Sequence, residues 1–223
     1  MYTYKDLETE TKFSKRYYIT PRGSYPSITT ILGTTHPPEK VKALEGWRNS
    51  LGHAKADAVS KKATDHGTNV HLLIERHLKG EQVDAPINGE PVPYNDFKAY
   101  SALKLKLKNI TEVWGQEVPL YSDSIEVAGR CDFVGKYKDT PVIIDFKTSS
   151  KVKSDKDIFD YKLQLSFYAI AHNEMFNTNI EHGVILMVAE TGFPLEFHIK
   201  LSDYYEDLGK RIEKFRETLI NKQ

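Results

Sequence analysis

Two acids and a lysine near the middle of the chain have the types and spacing that metal-assisted phosphodiester hydrolysis needs. Asp145 and Lys147 flank Phe146 after an apolar run, Val142-Ile143-Ile144, and Asp132 precedes them in Gly129-Arg130-Cys131-Asp132. Both segments read as strands joined by a tight turn, hence antiparallel neighbours. Asp145 is expected to end its strand, and both carboxylates are expected to approach one point at the sheet edge. Two hard oxygen ligands placed this way suit Mg²⁺ or Mn²⁺, which keep open positions for water and phosphate. Residues two apart on a strand share a face, so Lys147 is expected beside Asp145. There its ammonium can orient an attacking water or offset charge on the phosphorane, while the metal lowers the water's pKa. Taken alone, the Asp-x-Lys tripeptide also fits an exposed strand-end salt bridge. Asp132 and the apolar lead-in favour the chemical reading.

Other residues are candidates by their spacing. His71 and Glu75 lie four apart in Gly67-Thr68-Asn69-Val70-His71-Leu72-Leu73-Ile74-Glu75 and share a helix face. The imidazole can complete a metal site, although a histidine in an apolar helical context also suits a core or surface role. Gln164 and Tyr168 are four apart on the helix after the Asp-x-Lys strand, where an amide and a hydroxyl can hold a phosphate or the lysine. Their alternative is ordinary amphipathic packing. Trp47 can stack on a base or enter the core. Arg48, with Lys40, Lys42, Lys55, Lys61 and Lys62, can track phosphates or form a solvated helix face. Ser27 can meet a terminal phosphate at a helix start or simply cap that helix.

The elements that position these residues follow from periodicity and punctuation. FSKRYYIT, residues 13–20, reads as a strand, and SITTILG as a short helix capped by Ser27 and stopped at Gly33. Pro37-Pro38 opens a helical stretch from Glu39 to about Gly80, with breaks expected near Gly52 and Gly67. Residues 80–93 read as a loop and 94–108 as a helix. Three strands rich in β-branched and aromatic residues follow: 112–121, 125–137 and 141–146. A helix over 157–176 comes next, then an apolar buried strand at 183–189, a strand in LEFHIK, and an amphipathic helix capped by Ser202 or Asp203 that runs to the C-terminus. The expected fold class is α/β (α+β mixed). It has one central mixed sheet flanked by helices, in a single domain over 1–223, with a helical part at 37–110 and a catalytic sheet and helix at 111–200.

Bulk properties narrow the function classes. Of 223 residues 39% are hydrophobic and 28% charged, as expected of a soluble globular protein with a core. The 31 basic and 31 acidic residues balance, so nucleic-acid binding has to come from charge distribution rather than net charge. Residues 40–62 carry six basic and two acidic side chains, and a second basic run, Lys147, Lys151, Lys153 and Lys156, follows the Asp-x-Lys. One cysteine, Cys131, excludes an internal disulfide framework and any all-cysteine metal site from this chain alone. The polar start lacks the pattern of a signal or transit peptide, and no run is apolar enough for a membrane span. A cytoplasmic location is expected, the host's if the chain is phage-encoded.

The ordered set GTNVHLLIE, GRCD, IIDFKTS and Gln-x-x-x-Tyr within YKLQLSFYA resembles the RecB-like branch of the PD-(D/E)XK nuclease superfamily. The opening YPSITTIL with LEGWRNSLG is similar to exonucleases of mitochondrial genome maintenance and their phage relatives. The resemblance covers about residues 25–171. It implies an α-β-β-β-α-β restriction-endonuclease-like core. It also implies metal ligation by His71, Asp132, Asp145 and the Phe146 carbonyl, catalysis by Lys147, and support from Gln164 and Tyr168. Residues 37–110 would form a wall or arch over the site. No four-cysteine iron–sulfur cluster and no helicase motor are expected. The implied activity is a Mg²⁺- or Mn²⁺-dependent DNA exonuclease on free ends of single-stranded DNA in replication, recombination or repair, working alone or with a separate helicase, polymerase or single-strand-binding protein. A structure-specific endonuclease, a non-catalytic DNA-binding module and an RNA nuclease are the alternatives.

Overall fold

A short antiparallel sheet opens the chain in the computed structural model, which describes residues 2–220. It comprises β1 (Thr9–Lys12), β2 (Lys15–Thr20) and β3 (Gly23–Pro26). The strand expected over residues 13–20 starts later, because Phe13 and Ser14 form a two-residue turn with φ of 51° and 59°. That turn has the twist hairpins favour, but its residues are not the usual glycine or asparagine, so the hairpin was hidden.

Helices dominate the next stretch. α1 (Ile28–Thr34) is capped by Ser27, whose Oγ accepts from the Thr30 N–H at 3.0 Å. It runs through Gly33 rather than stopping there and ends at Thr35, whose hydroxyl donates to the Ile31 carbonyl. α2 (Pro38–Leu51) begins on the proline pair and breaks at Gly52, φ 79°. α3 (His53–Lys79) then runs unbroken through Gly67, against expectation. A β-carbon at Gly67 would stand 3.6 Å from the Thr148 hydroxyl, an ordinary contact, and the helix passes this glycine without a break. After the loop comes α4 (Tyr94–Leu107).

The main sheet has the order β4-β5-β6-β7-β8. Its strands are β4 (Ile110–Ser122), β5 (Val127–Tyr137), β6 (Thr140–Ser149), β7 (His182–Ala189) and β8 (Pro194–Lys200). All neighbours are antiparallel except β6 and β7, which are parallel and joined by the crossover helix α5 (Phe159–Phe176). α6 (Tyr205–Ile220) closes the described chain after a 3₁₀ turn at Leu201–Tyr204, so Ser202 and Asp203 lie in that turn rather than capping the α-helix. The last three residues of the expected helix, 221–223, lie outside the described residues. α1, α5 and α6 cover one face of the sheet through Ile28, Leu163, Phe167 and Phe215. α3 and α4 cover the other through Val70, Leu73 and Leu103, packed on Phe146 of β6. Among the described residues no helix is long and apolar enough to cross a membrane.

The β4–β5 ladder carries register shifts at 110/112 and 113/115. Gly135 sits opposite this bulged stretch, where a β-carbon would collide with the Glu112 carbonyl and come within 2.7 Å of the Phe133 ring. Gly135→Ala is therefore expected to lower unfolding free energy by about 1–3 kcal/mol or more. A urea melt with an unshifted midpoint would show that the bulge yields freely.

Candidate active site

β6 does not end at Asp145. Its parallel pairing with β7 carries it to Ser149, with Asp145 opposite Ile185 and Lys147 opposite Met187. β5 leaves β6 after the Phe133–Ile144 pair, so the ladder does not continue to Asp132. Instead the Phe146 N–H donates to Asp132 Oδ2 at 2.9 Å. The two acids thus meet inside the sheet, where β5 and β6 part, and not at a sheet edge. The edges are β4 and β8, because the crossover through α5 adds β7 on the far side of β6.

Asp145 is 1% exposed. Its Oδ1 accepts from Lys147 Nζ at 2.5 Å, while Oδ2 is buried without a hydrogen-bond partner. Such an orphaned carboxylate oxygen is costly unless something else satisfies it. Lys147 Nζ also lies 5.0 Å from the centre of the Tyr161 ring, at cation–π range. Lys153 Nζ approaches the same ring and donates to its hydroxyl at 3.1 Å. Tyr161 was not singled out in the sequence; its position three residues before Gln164 carried no motif of its own.

α3 delivers His71 to the same place. Its Nε2 donates to the Phe146 carbonyl at 2.7 Å. The carbonyl expected as a ligand is thereby engaged, and the other ring nitrogen, Nδ1, faces Glu117 Oε1 at 3.5 Å and Asp132 Oδ2 at 3.8 Å. A histidine that ligates metal commonly gives its second N–H to a carbonyl in this way. His71, Glu117 and Asp132 each offer one ligand atom, all within 4.8 Å of one another. Glu117 escaped the sequence reading. The one available signal was an acid between Gly115 and the apolar Val118-Pro119-Leu120.

Glu117 and Asp132 stand with His71, and Asp145 holds Lys147, so three carboxylates against one ammonium leave a formal charge of −2 when His71 is neutral. The group satisfies itself with protons. Burial works against a charged His71, but Asp132 and Glu117 prevail and lift its pKa to about 9. Burial pushes the Asp145 carboxyl up to about 6, with Asp132 adding and Lys147 and His71 opposing. Lys147 is held charged by Asp145 and Asp132 in spite of its own burial. A hard divalent cation fits this donor set of imidazole nitrogen, carboxylates and one orphaned oxygen, and neutralises its charge.

The remaining candidates fall elsewhere. Gln164 Nε2 donates to the Tyr168 hydroxyl at 3.2 Å, and that hydroxyl donates to the Arg130 carbonyl at 2.6 Å. The pair therefore braces β5 two residues before Asp132 instead of touching Asp145 or Lys147. Glu75 accepts from Lys79 one helical turn beyond His71, outside the donor group. Ser27 is fully buried, and its hydroxyl is engaged with Thr29, Thr30 and the cap. Trp47 is 36% exposed on α2, a helix without buried residues, and Arg48 pairs with Asp57 at 2.7 Å.

The PD-(D/E)XK nuclease superfamily matches this chain over residues 46–189, a span that contains His71, Glu117, Asp132, Asp145 and Lys147. The mitochondrial genome maintenance exonuclease 1 of Xenopus tropicalis is 26% identical over 212 residues, covering 90% of this chain and 60% of that protein. The Mus musculus protein of the same name is 26% identical over 211 residues, covering 90% of this chain and 61% of its own length. The chain thus spans about three fifths of the length of these curated relatives.

Proposed function

Since this chain belongs to the PD-(D/E)XK nuclease superfamily, we propose that it is a DNA exonuclease, dependent on Mg²⁺ or Mn²⁺, that consumes single-stranded DNA from a free end. The observation that carries the metal-dependent nuclease reading is the donor group His71, Glu117 and Asp132, with the buried Asp145 on the adjoining strand, whose Oδ1 takes the Lys147 ammonium and whose Oδ2 is left unpartnered. His71 through Nδ1, Glu117, Asp132 and Asp145 would hold the cation. When bound, it supplies Lewis acidity toward a phosphate oxygen and toward water.

The chain's own residues do the rest. Asp145 and the Tyr161 ring fix the Lys147 ammonium, which orients the attacking water and offsets charge developing on the phosphate. The His71–Phe146 hydrogen bond fixes the imidazole. The single-strand preference is supported by α2 and α3, which carry basic residues and the exposed Val41, Leu44 and Trp47, suited to a strand with unstacked bases. The helical part would then form a wall over the site. The exonuclease reading is supported by the name of the relatives above. Linear single-stranded DNA labelled at either end should be shortened from one end in Mg²⁺ or Mn²⁺, and covalently closed circles should survive. Nicked circles would instead establish an endonuclease.

Metal binding at His71 has to displace the proton that its acidic neighbours retain up to about pH 9. Mn²⁺ affinity is accordingly expected to strengthen by up to about tenfold per pH unit from pH 7 toward 9. Calorimetric titration in buffers of different ionisation enthalpy counts the released proton. Binding that releases none would remove His71 from the ligand set.

A further inference from the structure

Glu117 holds its place in the donor group by an unusual route. Gln116 pairs with Phe133 and Val118 with Cys131, so Glu117 stands opposite Asp132 in the β4–β5 register. Yet its φ is 49°, a left-handed conformation that a glutamate in a strand adopts only when its surroundings impose it. The Glu117 carbonyl takes a side-chain donor. Arg130, paired with Pro119 on the same ladder, supplies one: its Nη1 donates to the Glu117 carbonyl at 2.5 Å.

The other end of that guanidinium leads to the N-terminal segment. Arg130 Nη2 donates to Asp6 Oδ1 at 2.6 Å. Two residues earlier, the Tyr4 ring lies on Gly115, where a β-carbon would stand 2.7 Å from Tyr4 Cε2, so only glycine admits it. The Tyr4 hydroxyl hydrogen-bonds His172 Nε2 at 3.0 Å, anchoring the segment to α5. The Arg130 main chain is itself held by the Tyr168 hydroxyl. The segment therefore lies against the sheet at two points that flank Glu117: Gly115 on β4, and Arg130 on β5 opposite Pro119.

We infer that Arg130 and Asp6 form a clamp that keeps Glu117 in its left-handed conformation and so aims its carboxylate at the cation site. Arg130 is a positioning residue: it acts through the Glu117 backbone and touches neither the cation nor the phosphate. The planar fork of the guanidinium suits this role, since one nitrogen takes the carbonyl while the other takes the carboxylate. The inference rests on the metal-site reading above.

The test is Mn²⁺ binding to the full, metal-free chain, followed by electron paramagnetic resonance of the free ion, with no cleavage involved. Arg130→Gln is expected to weaken Mn²⁺ binding about 10- to 100-fold, as losses around a metal site commonly do. Arg130→Lys should recover part of it. Asp6→Asn, at an exposed side chain whose loss does not threaten folding, should cost about two- to fivefold. In a Glu117→Gln background, Arg130→Gln should add nothing, because the path through Glu117 is already broken. Wild-type affinity in both Arg130→Gln and Asp6→Asn, or an undiminished Arg130 effect in the Glu117→Gln background, would overturn the clamp while leaving the metal site standing. If Arg130→Gln fails to fold, Asp6→Asn decides. A wild-type chain that binds no Mn²⁺ would overturn the metal-site reading, and the clamp with it.

Discussion

Lys147→Met is expected to slow cleavage of single-stranded DNA by at least about 10²–10³-fold, the usual loss for one preorganised group that stabilises charge in the transition state. The effect should fall on kcat more than on KM, because the ammonium is fixed by Asp145 at 2.5 Å and by the Tyr161 ring rather than left free to grip the strand. Removing it also removes one of the two positive groups that hold the Asp145 carboxyl down. That carboxyl should then keep its proton to higher pH, so the variant's Mn²⁺ affinity should suffer more at pH 6 than at pH 8. Single-turnover cleavage across that range separates the two losses. Unchanged cleavage at pH 8 would exclude Lys147 from the chemistry, and a pH-independent loss of affinity would exclude the electrostatic link to Asp145.

Asp145→Asn should bring metal-dependent cleavage to background and yet leave the metal-free protein at least as stable as the wild type. The sign follows from the direction of the shift. Burial raises the Asp145 pKa from 3.8 to about 6, so the folded chain holds this proton more tightly than the unfolded chain does. Stability therefore falls as pH rises from about 4 to 6, and the penalty persists at pH 7. Asparagine carries no charge to desolvate, and Lys147 retains Asp132 and Tyr161 as neighbours. A cation that binds only the folded wild type should stabilise it by about 2.7 kcal/mol at a concentration of one hundred times Kd. The variant should gain little or none of this. Urea melts with chelator and with Mn²⁺ measure both quantities, and an equal Mn²⁺ gain in the variant would remove Asp145 from the site. The stability held back by a buried carboxylate is then the cost of having a cation site at all.

Both expectations concern residues whose grouping was partly legible in one dimension. Asp145 and Lys147 share a face because side chains on a strand alternate, and Asp132 stands near them because a two-residue turn at Lys138-Asp139 folds β5 back on β6. Gln164 and Tyr168 share a helix face by the same kind of local rule, but what that face touches was not readable. The pair serves the β5 backbone at Arg130 and not Lys147. Glycines misled in both α1 and α3. Gly33 and Gly67 looked like helix stops, but both lie inside unbroken helices, where tertiary packing overrides the low helix propensity of glycine. Glu75 shares a helical face with His71, yet one turn along α3 moves it beyond reach of β5 and β6, where Lys79 takes it.

The amino-acid sequence by itself determined the strands and helices of the core, the α-β-β-β-α-β order and the Asp-x-Lys pair, because these rest on steric and hydrophobic periodicities that act over two to four residues. Only the tertiary structure decided that β6 extends beyond Asp145, since that extension comes from a parallel partner beyond the α5 crossover. It likewise decided that Glu117 joins His71 and Asp132, and that Tyr161 lies over Lys147. Those contacts form between distant segments, where burial forces unlike charges together and a left-handed residue turns its side chain toward them. No local pattern encodes a contact whose energy exists only after the sheet has closed.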